Sequence, residues 1–499
     1  MNALYLNFKG NKGLQLIIMR SVFLLSLFMG SSNSFSQIAV DAVLESYKKD
    51  KDLKHASYSF CVLDAQTGKT LKEFNSETAL VPASTMKIIT TGAALGILGK
   101  NFVYKTHFYE VQNDSPAGIP ATHLLIKGSG DPTFGSSYFF ENDSAFLNEI
   151  VRKLKTKGLK KITGSLVADA SSFDNTIPST WIWGDIGNYF GAGANSLSYH
   201  DNKFSLFYTS GPLNTRAKLE AIIPDYFSAK MEITSNVISS GSEDNAFVFG
   251  EPNGYIREVK GSIPPNKTRF EVEAEMPHPP LFFLHQLKQD LKRAKLCDDK
   301  TGLINMSTNT YSYTNEKLIY THVSPKLDQV VYFTNIKSNN HYAESLLKTV
   351  GAFTTGKQGT TENGIQAVES FWKSRGVDIS GLHMVDGSGL SRANTITTKI
   401  QATVLSKIYR DSLMYPSFNG CLPVAGKNGS MTSLCRGTFA ENNLRAKTGY
   451  INRARGYCGY VKTKSGKELA FSVLFNNYDC SAKEMKLKIE KFLVALVEL

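Results

Sequence analysis

Hydrophobic and polar residues alternate at both ends of the chain. Ser57-Tyr58-Ser59-Phe60-Cys61-Val62-Leu63 reads as a strand, and the turn Gln66-Thr67-Gly68 leads into a second one, Lys69 to Phe74. Near the other end, Gly456 to Lys462 and Glu468 to Phe475 alternate around Lys464-Ser465-Gly466. Leu487, Phe492, Leu493, Leu496 and Val497 then fall roughly on one face of a helix from Met485 to Leu499, and Ile38 to Lys51 reads as a further helix. The two ends are predicted to share one sheet. Whatever lies between them must be helical packing or inserted domains.

The middle of the chain divides by texture. Ile88 to Leu98 reads as a buried helix, Gln329 to Ile336 as strand-like, and the segment after it as a helix with Ala343, Leu346, Leu347 and Val350 on one face. From Phe102 to about Asn305 the pattern changes to short strands with turn signals such as Gly128-Ser129-Gly130-Asp131-Pro132 and Pro264-Pro265-Asn266, interrupted by one helix from Ser144 to Lys157. The expected fold is α+β, an antiparallel sheet with helices over residues 37–104 plus 306–499. A large β-rich insert of one or two smaller domains is expected over 105–305.

Arg20 precedes the apolar run Val22 to Met29, and small residues follow as far as Ser34-Phe35-Ser36. That order predicts a signal peptide over 1–36 and export to a periplasm or cell wall; Met19 offers an alternative start. The apolar run is too short to cross a bilayer, so no stable membrane span is expected. At 499 residues and 42% hydrophobic content, the chain excludes a disordered or fibrous class. The formal charge is +12, of which Lys9, Lys12 and Arg20 carry three, leaving +9 after residue 36. This suits an anionic surface such as a cell wall. Without an arginine-rich arm or a zinc knuckle, nucleic acid is not an expected partner. The six cysteines show no CxxC pair and read mostly as buried hydrophobes, with Cys421 and Cys435 spaced to pair across a loop. His341 is the only histidine beside a motif, and neither a metal nor another cofactor is expected.

Three motifs carry the chemistry. Pro82-Ala83-Ser84-Thr85-Met86-Lys87 opens the buried helix, and residues three apart on a helix share a face, so Ser84 and Lys87 can hydrogen-bond. A hydroxyl needs a base to become a nucleophile, and a lysine buried among apolar groups has its pKa lowered toward that task. At a helix start the Ser84 backbone N–H also favours a developing oxyanion. Ser338-Asn339-Asn340 stands where the next helix opens. Lys447-Thr448-Gly449 lies in an extended segment, where Lys447 and Thr448 are placed to hold a carboxylate and Gly449 to let a substrate backbone approach. Each motif alone also reads as an ordinary cap or strand end. Their order is far more specific.

S-x-x-K, S-x-N and K-T-G in this order resemble the penicillin-binding and serine β-lactamase superfamily. Within it the chain is similar to the low-molecular-mass class C penicillin-binding proteins, D-alanyl-D-alanine carboxypeptidases and endopeptidases with long inserts between the first two motifs. The segments Asp169-Ala170-Ser171-Ser172-Phe173, Trp181-Ile182-Trp183-Gly184-Asp185, Asp386-Gly387-Ser388-Gly389-Leu390-Ser391-Arg392 and Pro423 to Ser430 extend the resemblance from roughly Ile38 to the end. It implies Ser84 as nucleophile, Lys87 as its base, and Ser338 with Lys447 relaying a proton to the leaving amine. Asn340 is implied to bind the substrate amide or to hold Lys87. Lys447 and Thr448 would take the terminal carboxylate, and the backbone N–H groups of Ser84 and Tyr450 would form the oxyanion hole. Asp185 is the candidate for a diaminopimelate amine. The implied partners are peptidoglycan stem peptides and cross-links, with β-lactams as covalent inhibitors.

Two positions depart from the family pattern. Asn339 stands where many relatives carry Asp, and Tyr450 stands where they carry Ser or Thr to help bind the carboxylate. The Tyr450 departure is expected to weaken cleavage of a terminal D-alanine relative to an internal cross-link. Arg392 is left between substrate binding and loop packing. Two rival readings share the motifs: a β-lactamase, against which the long insert speaks, and a non-catalytic wall-binding or β-lactam-sensing domain, against which the intact motif residues speak.

Overall fold

The computed structural model describes residues 40–114, 120–306 and 315–499; the expected signal segment lies outside them. The chain opens with α1 (Val40–Lys48), β1 (Ser57–Asp64), β2 (Thr70–Phe74) and α2 (Lys87–Leu98). Then come β3 (Lys105–Asp114), β4 (Pro120–Lys127), α3 (Asp143–Thr156), β5 (Ser165–Asp169), the short α4 (Trp183–Ile186), and β6 (Lys203–Thr209) to β7 (Lys218–Ile223). Next are β8 (Glu232–Ser239), β9 (Asn245–Phe249), β10 (Ile256–Ile263), β11 (Phe270–Glu275), α5 (Pro279–Arg293), β12 (Gly302–Met306) and β13 (Glu316–Val323). The helices α6 (Leu327–Ile336), α7 (Asn340–Thr355), α8 (Thr361–Ser374) and α9 (Thr398–Tyr409) follow, and β14 (Arg445–Ile451), β15 (Ala454–Lys462), β16 (Glu468–Asn476) and α10 (Ala482–Ala495) close the chain.

The two ends do share a sheet. Its order is β14-β15-β16-β1-β2, all antiparallel, with Phe60 opposite Val473 where the first strand meets the last. Alternation along β15 and β16 sends side chains to two cores. Cys458, Tyr460, Ala470 and Leu474 join a core with residues of α2 and α6 to α9, while Tyr457, Val461, Phe471 and Val473 join one with α1 and α10. The sheet is thus sandwiched between helical layers.

A third core belongs to the middle of the chain. It holds a five-stranded sheet, β12-β5-β4-β3-β13, and two three-stranded sheets, β11-β6-β7 and β8-β10-β9. Because β13 pairs with β3, this region's sheet runs on to Val323, past the expected end at residue 305.

Three expectations are corrected. The strand-like Gln329 to Ile336 belongs to α6, where Leu327, Val330, Val331 and Thr334 are buried at helical spacing; a short apolar run fits either period, and packing decides it. The middle region carries a second long helix, α5, opened by Pro279 and Pro280 in its first turn, where proline is tolerated. Cys421 and Cys435 are not paired: each is a free thiol, in a different core.

Candidate active site

Ser84 sits on a sharp elbow. Ala83 before it is held at φ 47°, a left-handed conformation unusual for a residue with a Cβ, and a 3-10 turn over Ala83–Met86 runs straight into α2. Strand β14 presses on this elbow at Gly449. A Cβ there would stand 2.5 Å from the Pro82 carbonyl oxygen and 3.1 Å from the Ser84 nitrogen. The close approach of the nucleophile's own loop therefore requires glycine here, a demand separate from the expected room for a substrate backbone. That approach also puts the Ser84 nitrogen beside the residue preceding Tyr450.

Lys87 is fully buried one turn on. Its Nζ donates to Asn340 Oδ1 at 2.6 Å and to the Ser388 carbonyl at 2.7 Å, and lies 3.0 Å from Ser84 Oγ. Burial pushes its pKa down to about 7, although the carboxylates of Asp386 and Glu344 work against that fall. This has a geometric consequence. An uncharged amine has two N–H donors and one lone pair, and with both donors taken the lone pair is left for the Ser84 hydroxyl.

The second motif faces the third. Asn339 caps α7 by accepting from the Tyr342 N–H at 3.1 Å, so the departure from Asp falls on a capping position. Ser338, at φ 57°, accepts a 2.9 Å hydrogen bond from Lys447 Nζ. Lys447 is buried, and burial together with the Lys87 charge holds its pKa well below the usual lysine range. Thr448 Oγ1 donates to Ser430 Oγ at 2.7 Å.

The middle region supplies the other wall. Asn340 Nδ2 donates to the Phe190 carbonyl at 2.7 Å, while its Oδ1 holds Lys87. Asp185 and Arg392 form a 3.4 Å ion pair, and burial raises the Asp185 pKa against the pull of that arginine. Both line a cavity of about 530 Å³ with Ser84, Ser338, Asn340 and Tyr450. Tyr450 is 52% exposed, its ring 5.3 Å from the Arg455 guanidinium. His341 is buried against Ser198 and Asn202 with its pKa lowered to about 4, a neutral joint between α7 and the middle region.

The structure therefore gathers Ser84, Lys87 and Asn340 into one hydrogen-bonded set and Ser338, Lys447 and Thr448 into a second, and Ser84, Ser338 and Asn340 share a cavity with Asp185 and Tyr450. Glu344, Ser388 and Ser430 also belong there and were not singled out from the sequence. A polar stripe at helical spacing on α7, Asn340, Glu344 and Lys348, was the available signal for Glu344. Ser388 and Ser430 lie in family-like segments but carry no chemical signature of their own.

Residues 40–497 match the model of the D-Ala-D-Ala carboxypeptidase 3 (S13) family. The chain belongs to that family. It is 28% identical over 452 residues to a D-alanyl-D-alanine carboxypeptidase of Actinomadura sp. strain R39, covering 88% of this chain and 80% of the relative. It is 23% identical over 446 residues to the D-alanyl-D-alanine carboxypeptidase DacB of Haemophilus influenzae, covering 87% and 88%. The crystal structure of penicillin binding protein 4 from Haemophilus influenzae superposes with a TM-score of 0.73 at 21% identity, covering 91% of this chain and 98% of that one. The same protein complexed with a β-lactam superposes with a TM-score of 0.69 at 20% identity, over 91% and 98%. The protein is an enzyme of this serine carboxypeptidase family, with the α+β penicillin-binding fold and an inserted β-rich region.

Proposed function

We propose that this enzyme cleaves D-alanyl bonds of peptidoglycan peptides, both the terminal D-alanine and the D-alanyl cross-link, through an acyl-enzyme on Ser84. The observation that carries this reading is the environment of Lys87, whose two amine donors are occupied and whose lone pair is left for Ser84 Oγ. In the first step Lys87 takes the hydroxyl proton as Ser84 Oγ attacks the D-alanyl carbonyl, and the oxyanion is met by the Ser84 and Tyr450 N–H groups. Ser338, polarised by Lys447, passes a proton to the leaving amine, and water releases the acyl group. A β-lactam ring, opened by the same attack, forms a covalent adduct.

Asn340 is proposed to position Lys87, because its Oδ1 is already engaged there. The Asp185–Arg392 pair is proposed to meet the zwitterionic end of a diaminopimelate side chain, the carboxylate binding its amine and the guanidinium its carboxylate. We further propose export by the segment 1–36; among the described residues no helix is long and apolar enough to cross a membrane. The inserted unit is proposed to span residues 105–323, with the catalytic unit formed by 37–104 and the rest.

The test is digestion of purified peptidoglycan fragments, following free D-alanine from pentapeptides and loss of cross-linked dimers. Both products are expected from the wild type and neither from Ser84→Ala; intact dimers alongside free D-alanine would remove the endopeptidase half.

Ser430 sharpens the Tyr450 departure. Its hydroxyl accepts the Thr448 O–H and keeps its own O–H to offer the carboxylate, where residue 450 has none of the expected kind. Hydrogen bonds to a charged group are worth about 1.5–3 kcal/mol, so Ser430→Ala is expected to raise KM for a D-alanyl-D-alanine peptide by roughly tenfold with little change in kcat. An unchanged KM would assign the carboxylate to other donors.

A further inference from the structure

Glu344 is a fully buried acid that no step above uses. It lies on α7, one turn after Asn340, and its carboxylate accepts from the Gly387 N–H at 3.0 Å and the Ser388 N–H at 2.7 Å. These amides belong to the loop whose Ser388 carbonyl accepts from Lys87 Nζ. The loop is held from other sides too. Thr90 Oγ1, on α2, donates to the Gly387 carbonyl at 2.7 Å, and Asp386 receives the Trp181 indole N–H at 2.9 Å from the inserted region. Gly389 packs against the elbow itself, where a Cβ would stand 1.9 Å from the Ala83 carbonyl oxygen.

We propose that Glu344 is the positioning residue of the acylation step: by clamping the Gly387 and Ser388 amides it anchors the loop at Ser388, whose carbonyl accepts from Lys87, and so leaves the amine's lone pair directed at Ser84. This rests on the roles proposed above for Ser84 and Lys87. The two Glu344 contacts fix the peptide planes on either side of Gly387 and so anchor the Ser388 nitrogen; the next plane, which carries the Ser388 carbonyl, is set from that anchor and by the Gly389 N–H, which donates to Asp386 Oδ1 at 2.7 Å. If the carbonyl swings away, an N–H of Lys87 is freed, and rotation about the Cε–Nζ bond lets that N–H rather than the lone pair face the hydroxyl. The same carboxylate acts through its charge. Ionised Glu344 favours the ammonium form of Lys87, and burial beside Asp386 in turn raises the Glu344 pKa to about 7.

The charged groups around Glu344 can be assigned element by element. Asp386 faces it from the loop and Lys87 from α2, with Lys447 of β14 beyond Lys87. On its own helix Lys348 is committed to Asp174 of the inserted region, and His341 is neutral against Ser198. From α8, Val368 and Trp372 turn inward, Glu362 and Lys373 face solvent, and Glu369 is half-buried near His383. Removing the Glu344 charge therefore withdraws one of the two carboxylates that hold a proton on Lys87.

The experiment measures the second-order rate of acylation by a fluorescent penicillin against pH for the wild type, Glu344→Gln and Glu344→Ala. Gln keeps an acceptor for the loop amides and removes the charge; Ala removes both. The Gln variant is expected to keep the alkaline plateau within about tenfold while its acid limb moves roughly one pH unit lower. The Ala variant is expected to lose about a hundredfold at the plateau. A Gln profile that superimposes on the wild type, or an Ala plateau equal to it, overturns the proposal. Should both variants fail to fold, infrared difference spectra of the wild type on acylation decide. A protonation change at a buried carboxyl is expected, and its absence counts against Glu344. A wild type that takes no label at all strikes instead at the acyl-enzyme reading.

Discussion

Ser84→Ala is expected to abolish D-alanine release and covalent labelling by penicillin together, a loss of at least ~10³ in kcat/KM. The size follows from the absence of a substitute within the cluster. Ser338 lines the same cavity, but its Oγ is tied to Lys447 Nζ rather than to the Lys87 amine. Folding should survive the change, because Ser84 is only partly buried and alanine accepts the same 3-10 turn. The check pairs thermal denaturation with the rate of D-alanine release. Activity within tenfold of wild type in a folded variant would remove Ser84 from the chemistry.

Lys87 should be nearly as sensitive, and its pH dependence identifies its role. With its pKa pushed down to about 7 by burial, the free enzyme is protonated at Lys87 below that pH and uncharged above it. A base must be uncharged to accept the Ser84 proton, so acylation should rise with pH through about 7 and level off on the alkaline side. Lys87→Met, which keeps length and apolar volume but has no amine, should cost about 10²–10⁴ and lose that rise. Lys87→Arg should fail as well, since a guanidinium does not surrender its proton in this range. The measurement is the pseudo-first-order acylation rate between acid and mildly alkaline pH. A wild-type profile flat through 7, or a Met variant with the same limb, would show that another group supplies the base.

The sequence exposed the parts of this site that are local. Ser84 and Lys87 are one helical turn apart, and Lys447 and Thr448 are adjacent, so spacing and residue type were enough to nominate them. The sheet joining the chain ends was legible because β1, β15 and β16 alternate. What stayed hidden depends on contacts across long stretches of chain. Glu344 meets the Gly387 and Ser388 amides 43 and 44 residues later, and Ser430 reaches Thr448 across an 18-residue separation. Neither has a period or a motif. Gln329 to Ile336 was misread for a different reason, since eight residues rich in Val, Tyr and Phe satisfy a strand propensity until the packing of α6 settles the matter. The packing demand on Gly449 was hidden too, because only the folded elbow shows how near the Pro82 carbonyl lies.

Arg392 shows the same limit from the other side. Its sequence context allowed loop packing or substrate binding, and the fold brings it to Asp185, 207 residues away in the chain. Asp185 is itself partly withdrawn from solvent, which raises its pKa against the pull of the arginine beside it.

Every step above depends on acylation of Ser84 with help from Lys87. The decisive measurement is to incubate the wild-type protein with benzylpenicillin, quench, digest with a protease and locate the adduct by mass spectrometry. The expected result is the mass of one intact penicillin on the peptide containing Ser84, formed faster above pH 7 than below it. An unmodified protein, or an adduct on a peptide that lacks Ser84, would contradict it.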